Sequence, residues 1–312
     1  MNLSLSRRRY NNDMLQIPRT LPLDTRPSRR QVVLGGLGLI ALTGSCTSAY
    51  AGAEALGLVV TRYRLHPPAW PQGRKLTITV IADLHAGGPN MGLARVEEVV
   101  NVANVLNSEV IVLLGDYFAT HRFITEVVPP AAWSQALAQL KAPLGVWAIL
   151  GNHDWWYDIA GTRKALDAVG IPVLENDALL LGQASQRFWL AGLGDQLAYR
   201  RGHGRFQGVD DLPGTLARID SDDPAILLVH EPDIFTEIPD RVALTLAGHT
   251  HGGQIRVPFV WPEFVPSMYG ARFAYGHVVE RGRHMIVSGG LGTSWVPARL
   301  GVPPEIVQIT LG

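Results

Sequence analysis

The sequence predicts an α/β protein in which two mixed β-sheets pack face to face and helices flank them, an αββα sandwich. Two observations lead to this fold class. Strands alternate with helices from residue 75 to residue 170, whereas the chain beyond residue 172 consists mainly of short strands with tight connections. Apolar residues make up 47% of the 312 residues and charged residues 17%, which is typical of a well-packed globular protein and argues against disorder.

Hydrophobic periodicity predicts the strands and helices of the alternating half of the chain. Short apolar runs rich in β-branched residues predict buried strands at 75–82, 110–114 and 145–150. Apolar residues at helical spacing, bounded by proline or glycine, predict helices at 93–106, 129–140 and 161–169.

The later half is rich in strands. These are predicted at 173–174, 179–181, 188–193, 225–229, 242–247 and 306–311. A hairpin is predicted at 278–288, and a short helix at 232–237. Residues 197–211 are polar and rich in glycine, so we expect a mobile loop there.

The charge of the chain is unevenly distributed. Residues 1–30 hold seven arginines and two aspartates, so the remainder of this neutral chain carries a net charge of −5. Nucleic-acid binders usually present a basic surface. We therefore do not expect duplex nucleic acid as a partner.

The first part of the chain has the composition of a targeting segment. Residues 31–53 contain no charged side chain and directly follow Arg29 and Arg30. A basic region before about 20 apolar residues predicts a signal sequence or a membrane anchor, and whether it is cleaved stays open. The arginine pair indicates the twin-arginine export machinery, and the positive flank predicts a body in the periplasm or on the outer face of the cytoplasmic membrane. The chain is thus divided into a targeting segment (1–56), a linker (57–74) and the main domain (75–312).

Polar clusters follow five of the predicted strands at the point where each strand ends. They are Asp83-Leu84-His85, Gly115-Asp116, Gly151-Asn152-His153-Asp154, Val229-His230-Glu231 and Gly248-His249-Thr250-His251. Because ligand sites of α/β sheets lie beyond the carboxyl ends of strands, we expect these clusters to converge. Five of the ten histidines fall within them. A purely structural role for all five is disfavoured, since buried polar groups without a role cost stability.

These residue types favour a pair of metal ions. A mixed set of imidazole, carboxylate and amide donors suits divalent Mn, Fe or Zn better than Mg or Ca. The single cysteine, Cys46, excludes a cysteine-built zinc site. Two ions need a shared ligand, and Asp116 is predicted to bridge them because a carboxylate has two oxygens. With Asp83 as the other carboxylate ligand, such a site keeps a positive charge that attracts an anionic phosphate.

The ordered clusters resemble the calcineurin-like metallophosphoesterase superfamily from about residue 75 to the C-terminus. A second group of motifs, at 248–254, 289–293 and 304–306 together with Arg299, is similar to a bacterial exported or membrane-attached branch, that of the YaeI- and YkuE-type phosphodiesterases. The resemblance implies the calcineurin-like phosphoesterase fold and a dinuclear metal centre.

The resemblance also implies a role for each residue. The predicted metal ligands are Asp83, His85 and His251 for the first ion, Asn152, His230 and His249 for the second, and Asp116 for both. His153 would contact the substrate phosphate or protonate the leaving group, and Asp154 would orient the His153 ring. A hydroxide that bridges the two ions would attack phosphorus in line.

The function predicted from these features is that of a phosphodiesterase or pyrophosphatase acting on a lipid-linked or nucleotide-type substrate. His121 and Asp195 are candidate substrate contacts. An aromatic-rich segment at 257–273 is either a lip for an apolar substrate or an ordinary packed loop. Two alternatives remain open: a phosphomonoesterase with the same metal centre, and a non-catalytic metal-binding protein on the same fold.

Overall fold

The computed structural model describes residues 51–256 and 265–312.

The first sheet is formed by strands from both ends of the domain. In chain order, the strands of this sheet are β1 (Val59–Leu65), β2 (Leu76–Ile81), β3 (Val110–Leu113), β4 (Val146–Ala148) and β13 (Glu305–Leu311). Across the sheet the order is β1-β13-β2-β3-β4, with β13 antiparallel to β2 and the other neighbours parallel.

The second sheet is built mainly from the later half of the chain. Its strands are β5 (Asp177–Leu181), β6 (Phe188–Gly192), β9 (Ala225–Leu228), β10 (Val242–Ala247), β11 (Gly276–Glu280) and β12 (Arg283–Val287). The order β11-β12-β10-β9-β6-β5 has four parallel central strands, with an antiparallel strand at each edge. Both sheets are therefore mixed, as the sequence predicts.

Apolar strand faces hold the two sheets together. Ile78 and Val112 of the first sheet share one buried cluster with Ile226 and Leu244 of the second. Each of these four side chains is at most 1% exposed. Burial of a side chain of this size contributes roughly 1.5–3 kcal/mol, so this interface is a major source of stability.

Helices cover the outer face of the first sheet. In chain order the α-helices of the described residues beyond 57 are α1 (Leu93–Val105), α2 (Pro130–Leu137), α3 (Asn152–Tyr157), α4 (Ile159–Ala168) and α5 (Leu212–Ala217). Val96, Trp133 and Leu166, from α1, α2 and α4, pack with Ile111 of β3. The outer face of the second sheet is covered instead by α5 and by the short 3₁₀ helices Pro232–Thr236 and Gly270–Phe273.

Two sequence predictions need correction. Residues 57–74 were expected to be a linker, but Val59–Leu65 form β1 and pair in register with Glu305–Leu311. This strand has a partly exposed, alternating face and a partner from the far end of the chain, so local apolar periodicity does not reveal it. The strand predicted at 173–174 is reduced to one isolated bridge between Val173 and Ala148.

The loop predicted at 197–211 contains a small ribbon. Strands β7 (Tyr199–Arg200) and β8 (Phe206–Gln207) pair antiparallel within it. Its predicted mobility stays a prediction.

Most of the predicted targeting segment lies outside the described residues. Of residues 1–56, the structure describes only 51–56, where the Ala51 carbonyl accepts a 3.0 Å hydrogen bond from the Arg299 backbone N–H. In the described ranges, no helix combines the length and the apolar character needed to cross a membrane.

Candidate metal centre

The ends of strands from both sheets deliver the predicted ligands. β2, β3 and β4 of the first sheet lead into Asp83 and His85, into Asp116 and into Asn152, respectively. β9 and β10 of the second sheet lead into His230 and into His249 and His251. All seven side chains are buried, His249 being the most exposed at 8%. The predicted convergence is confirmed, because these carboxylates and imidazoles form groups of three in which the potential ligand atoms lie within 4.8 Å of one another.

Asp116 lies between two histidines from different sheets. Its Oδ2 atom is 3.5 Å from His85 Nε2 and 3.3 Å from His230 Nε2. Its Oδ1 atom accepts a 2.8 Å hydrogen bond from the His153 backbone N–H, which fixes the orientation of the carboxylate. Asp116 therefore lies where candidate ligands from the two sheets meet.

One side of Asp116 is occupied by an amide and two imidazoles. Asn152 Oδ1 is 3.1 Å from His230 Nε2 and 2.9 Å from His249 Nδ1. Potential ligand atoms of residues that follow β4, β9 and β10 thus lie close together around Asn152 Oδ1.

On the other side, His85 meets His251 and Asp83. The Nε2 atoms of His85 and His251 are 3.1 Å apart, and His251 Nε2 is 3.6 Å from Asp83 Oδ1. The Asp83 carboxylate also accepts the His249 backbone N–H at 2.9 Å, so it joins the two halves of the site.

Backbone carbonyls determine which nitrogen of two imidazoles is available. His85 Nδ1 donates to the Phe118 carbonyl at 2.7 Å, and His230 Nδ1 donates to the Leu114 carbonyl at 2.6 Å. Each Nε2 atom is thereby directed at Asp116. Such a second hydrogen bond is the usual way in which a protein orients a metal-binding histidine.

The charge balance of the site favours a cation. Burial lowers the pKa values of His85 and His249 to about 3, so both rings are neutral at pH 7. Burial also raises the pKa of Asp83 to about 7. For His230 burial alone would lower the pKa, but the neighbouring Asp116 carboxylate outweighs it and raises that pKa well above its usual value. A proton on His230 therefore supplies positive charge where a metal ion would supply it.

The residues fit a divalent metal ion. The neutral His85 ring directs its Nε2 lone pair at a carboxylate oxygen 3.5 Å away, an arrangement that is repulsive unless a cation lies between the two atoms. Nitrogen and oxygen donors without thiolate suit first-row divalent ions.

Close backbone approach explains the glycines of the motifs. A Cβ atom on Gly151 would lie 2.6 Å from His230 Cε1, and one on Gly248 would lie 2.7 Å from Asp83 Oδ2. Both distances are below any normal van der Waals contact. The site backbone is also strained, since five ligand candidates have positive φ angles: Asp83, His85, Asp116, His249 and His251.

His153 lies next to the ligands, and one of its ring nitrogens falls within 4.8 Å of ligand atoms of His85 and Asp116. Its Nδ1 atom hydrogen-bonds with Thr120 Oγ1, and its Nε2 atom lies 3.4 Å from Ser294 Oγ beside a surface cavity of about 380 Å³. Burial lowers the pKa of His153, so the neutral ring is favoured. With the Thr120 hydroxyl as donor to Nδ1, the ring carries its proton on Nε2 and can donate it into the cavity.

The prediction that Asp154 orients His153 is wrong. The Asp154 carboxylate accepts three backbone N–H groups, those of Asp116, Tyr117 and Gly151, each at 2.9 Å. Asp154 is fully buried and ties the loop after β3 to the loop after β4. Its role is to position the backbone that carries Asp116 and Asn152.

The two candidate substrate contacts lie to the side of this cavity. His121 is 7% exposed, and its Nδ1 atom accepts the Phe123 backbone N–H at 3.2 Å. Asp195 is 1% exposed, and Oδ1 accepts the Leu197 N–H at 2.8 Å. Neither residue lines the cavity beside His153. Substrate contact by these residues stays a prediction.

Sequence reasoning named Glu231 and Arg299 within motifs but assigned no role to either at the centre. Glu231 groups with His230 and His249, and its pKa is raised by burial. It follows His230 directly in the sequence, but the motif Val229-His230-Glu231 gave no reason to assign a role to its glutamate. The fully buried Arg299 donates to the Gly289 carbonyl at 2.8 Å, and its Nη2 atom lies 3.2 Å from His251 Nδ1.

A buried set of His, Asp and Asn donors between two sheet ends defines a metal-dependent enzyme centre. A sequence profile for calcineurin-like phosphoesterases matches residues 76–253, which include every predicted ligand, and the chain belongs to this family. It is therefore a metal-dependent phosphoester hydrolase with a mixed α/β fold.

Bacterial relatives match most of the chain. The chain is 32% identical over 295 residues to the uncharacterized metallophosphoesterase YkuE of Bacillus subtilis, covering 91% of this chain and 97% of the relative. It is 31% identical over 263 residues to an uncharacterized metallophosphoesterase of Aquifex aeolicus, covering 84% and 95%. It is also 29% identical over 241 residues to the phosphodiesterase YaeI of Escherichia coli, covering 75% and 81%. The resemblance to the family and to this branch is thus confirmed.

Proposed function

We propose that this protein is a phosphodiesterase that uses two divalent metal ions. The observation that supports this most directly is the position of Asp116 Oδ2 between His85 Nε2 and His230 Nε2, at 3.5 and 3.3 Å. In this proposal Asp83, His85 and His251 hold one ion, and Asn152, His230 and His249 hold the other. Mn, Fe and Zn suit this donor set best. Preference for diesters is supported by the likeness to a relative that is named a phosphodiesterase.

The residues of the chain supply orientation and hydrogen bonding. Bound divalent ions would polarise the phosphoryl oxygens and activate a water molecule. The chain holds Asp116 between two histidines through the His153 backbone N–H and through Asp154. His153 directs Nε2–H toward the cavity, where it can donate a hydrogen bond to a phosphoryl or leaving-group oxygen as negative charge develops there.

The first test is a metal-reconstitution assay. The purified full-length protein is stripped of metal and resupplied with Mn²⁺, Zn²⁺, Fe²⁺ or Mg²⁺, and hydrolysis of bis(p-nitrophenyl) phosphate and of p-nitrophenyl phosphate is followed. We expect turnover of the diester that depends on added metal and that Asp116→Asn abolishes. Turnover of the monoester alone would support a phosphomonoesterase instead. Absence of turnover on both, with metal bound, would contradict the proposed activity.

We also propose that the protein works outside the cytoplasm on a lipid-linked or nucleotide-type ester. The support is the basic segment with Arg29 and Arg30 before an uncharged stretch, which lies outside the described residues. In cell fractionation, replacing both arginines by lysine should retain the protein in the cytoplasm. Unchanged export of this variant would rule out the twin-arginine route.

A further inference from the structure

A cavity of about 380 Å³ opens beside His153 and combines aromatic rings with one positive charge. Its inner wall is formed by His153, Thr120 and Ser294, and its outer wall by Trp156, Tyr157, Arg200 and Trp295. This volume lies within the range of about 300–1,000 Å³ that is usual for small-molecule sites. Because His153 belongs to the candidate centre, a group bound in this cavity would be attached to a phosphate at the metals.

Arg200 is the charged residue of the outer wall. Its guanidinium carbon lies 3.6 Å from the centroid of the Trp156 ring, and the side chain is exposed. Among residues 51–256 and 265–312, no carboxylate lies within ion-pair distance of it. Stacking on an aromatic face leaves the N–H edge of a guanidinium available for a phosphate.

The ribbon that carries Arg200 is fastened to the helix that carries His153. Trp156 Nε1 in α3 donates to the Leu197 carbonyl at 2.9 Å, and the Trp156 ring stacks on Phe206 of β8 at 5.7 Å between centroids. Trp155 makes an edge contact with Tyr199 of β7 at 5.3 Å. Arg200 is therefore held at a defined position relative to the metal centre rather than on an independent loop.

The mouth of the cavity presents two aromatic side chains to solvent. Tyr157 is 62% exposed and Trp295 is 61% exposed, although both are large and partly apolar. Aromatic side chains at the edge of a site can stack on a planar ring such as a nucleobase, and this stacking does not depend on which base is bound. A fatty acyl chain would instead require a wall without the Arg200 guanidinium and the hydroxyls of Thr120, Tyr157 and Ser294.

We infer that Arg200, Tyr157 and Trp295 form a subsite for a nucleoside 5′-phosphate group, so that the substrate class is a nucleoside diphosphate ester. This inference rests on the proposed function and adds the part of the substrate that is not bound at the metals. The non-scissile phosphate pairs with Arg200, and the base stacks at the mouth with Tyr157 and Trp295. Water adds across the P–O–P bond: its oxygen joins the phosphorus at the metal centre, and the electron pair of the broken bond leaves with the nucleoside monophosphate. The two protons of the water are distributed between the two phosphate products and the solvent.

The experiment compares two substrates in the metal-loaded full-length protein. Uridine diphosphoglucose carries the second phosphate and the base, and its product uridine monophosphate is quantified by chromatography. Methyl p-nitrophenyl phosphate lacks both the second phosphate and the base, so its hydrolysis does not require an ion pair with Arg200. Four variants are compared with the wild type: Arg200→Met, Arg200→Lys, Trp295→Ala and Tyr157→Ala. The control variant is Arg201→Met, because the neighbouring Arg201 binds Gln207 at 2.6 and 2.9 Å and does not line the cavity.

We expect Arg200→Met to lower kcat/KM on uridine diphosphoglucose by about ten- to hundredfold, the usual effect of losing a charge-assisted hydrogen bond, mainly through a higher KM. Arg200→Lys should recover part of this loss, because lysine keeps the charge but not the planar fork. Trp295→Ala and Tyr157→Ala should each cost about five- to fiftyfold on the same substrate. The two Arg200 variants, and Arg201→Met, should stay within about threefold of the wild type on methyl p-nitrophenyl phosphate.

The opposite results separate two failures. Equal losses on both substrates in Arg200→Met, or no loss on uridine diphosphoglucose in any of the four variants, would overturn the assignment of the subsite. Hydrolysis of methyl p-nitrophenyl phosphate without any hydrolysis of uridine diphosphoglucose would overturn the substrate class. Faster hydrolysis of a phosphatidyl diester in mixed micelles would do the same in favour of a lipid substrate. If methyl p-nitrophenyl phosphate is not hydrolysed with any metal, the proposed phosphodiesterase activity itself has failed.

Discussion

The carboxylate of Asp154 accepts a 2.9 Å hydrogen bond from the backbone N–H of Asp116, the residue at the middle of the candidate metal centre. The same carboxylate accepts the backbone N–H groups of Tyr117 and Gly151, so one buried side chain ties together the loops that follow β3 and β4. The effect of Asp154 on chemistry is therefore indirect and passes through the position of Asp116.

The first prediction concerns Asp154→Asn. An asparagine has one oxygen, so at least one of the three backbone N–H groups loses its acceptor and faces the amide NH₂ group. We expect the free energy of unfolding of the metal-free protein to fall by about 3 kcal/mol, measured by urea denaturation. Asp158→Asn is the matched control: Asp158 is an exposed helix cap, and Asn caps as well as Asp, so the change should be within about 0.5 kcal/mol. Unchanged stability of Asp154→Asn with lost turnover would instead favour a direct catalytic role.

The second prediction concerns His153→Ala. Because the His153 ring faces Thr120 and the cavity, its loss should leave two metal ions per chain and lower kcat by about 10²–10⁴-fold. Elemental analysis measures the metal, and hydrolysis of bis(p-nitrophenyl) phosphate measures kcat. His66→Ala, at an exposed position in the segment between β1 and β2, serves as the control. Loss of metal from the His153 variant would show that the assignment of ligands is wrong.

The third prediction concerns the hydroxyl of Thr120. Thr120→Val keeps the shape of the side chain but removes the partner of His153 Nδ1, so the ring is no longer held with its proton on Nε2. We expect kcat to fall about tenfold with KM nearly unchanged, as for other groups that orient a functional histidine. Thr120→Ser should restore most of the activity. Equal kcat values for the three proteins would remove Thr120 from the positioning of His153.

The fourth prediction concerns the glycine of the third cluster. In Gly151→Ala the new Cβ would come even closer to Asp116 Oδ1 than to His230 Cε1, which it would approach to 2.6 Å, so at least one of these two side chains must move. We expect metal affinity to fall by at least about tenfold, followed by calorimetric titration with Mn²⁺. Gly52→Ala introduces the same methyl group where no atom lies within 4 Å and is expected to bind metal normally. Normal metal binding by Gly151→Ala would mean that the ring can adjust without leaving the centre.

The local pattern of apolar residues predicted most of the strands and helices. β2 lies within the predicted strand at 75–82, α1 nearly coincides with the predicted helix at 93–106, and β10 has the predicted bounds. The pattern failed at β1, whose partner β13 lies more than 200 residues away and whose exposed face carries arginines. Periodicity records how one segment is buried, but not which distant segment covers it.

The sequence by itself predicted which residues converge, because Asp83, Asp116, Asn152 and the neighbouring histidines each follow a strand, and the ends of parallel strands lie at one edge of a sheet. Only the tertiary structure decided what those residues touch. The partners of Asp154 are backbone N–H groups, which no sequence motif displays, and the contact of Thr120 with His153 joins the loop after β3 to α3. The approach of Arg200 and Trp295 to the same cavity likewise depends on how a ribbon and a distant loop pack around α3. Residue type and spacing encode chemistry and burial, whereas contacts between distant segments are set by the packing of the whole domain.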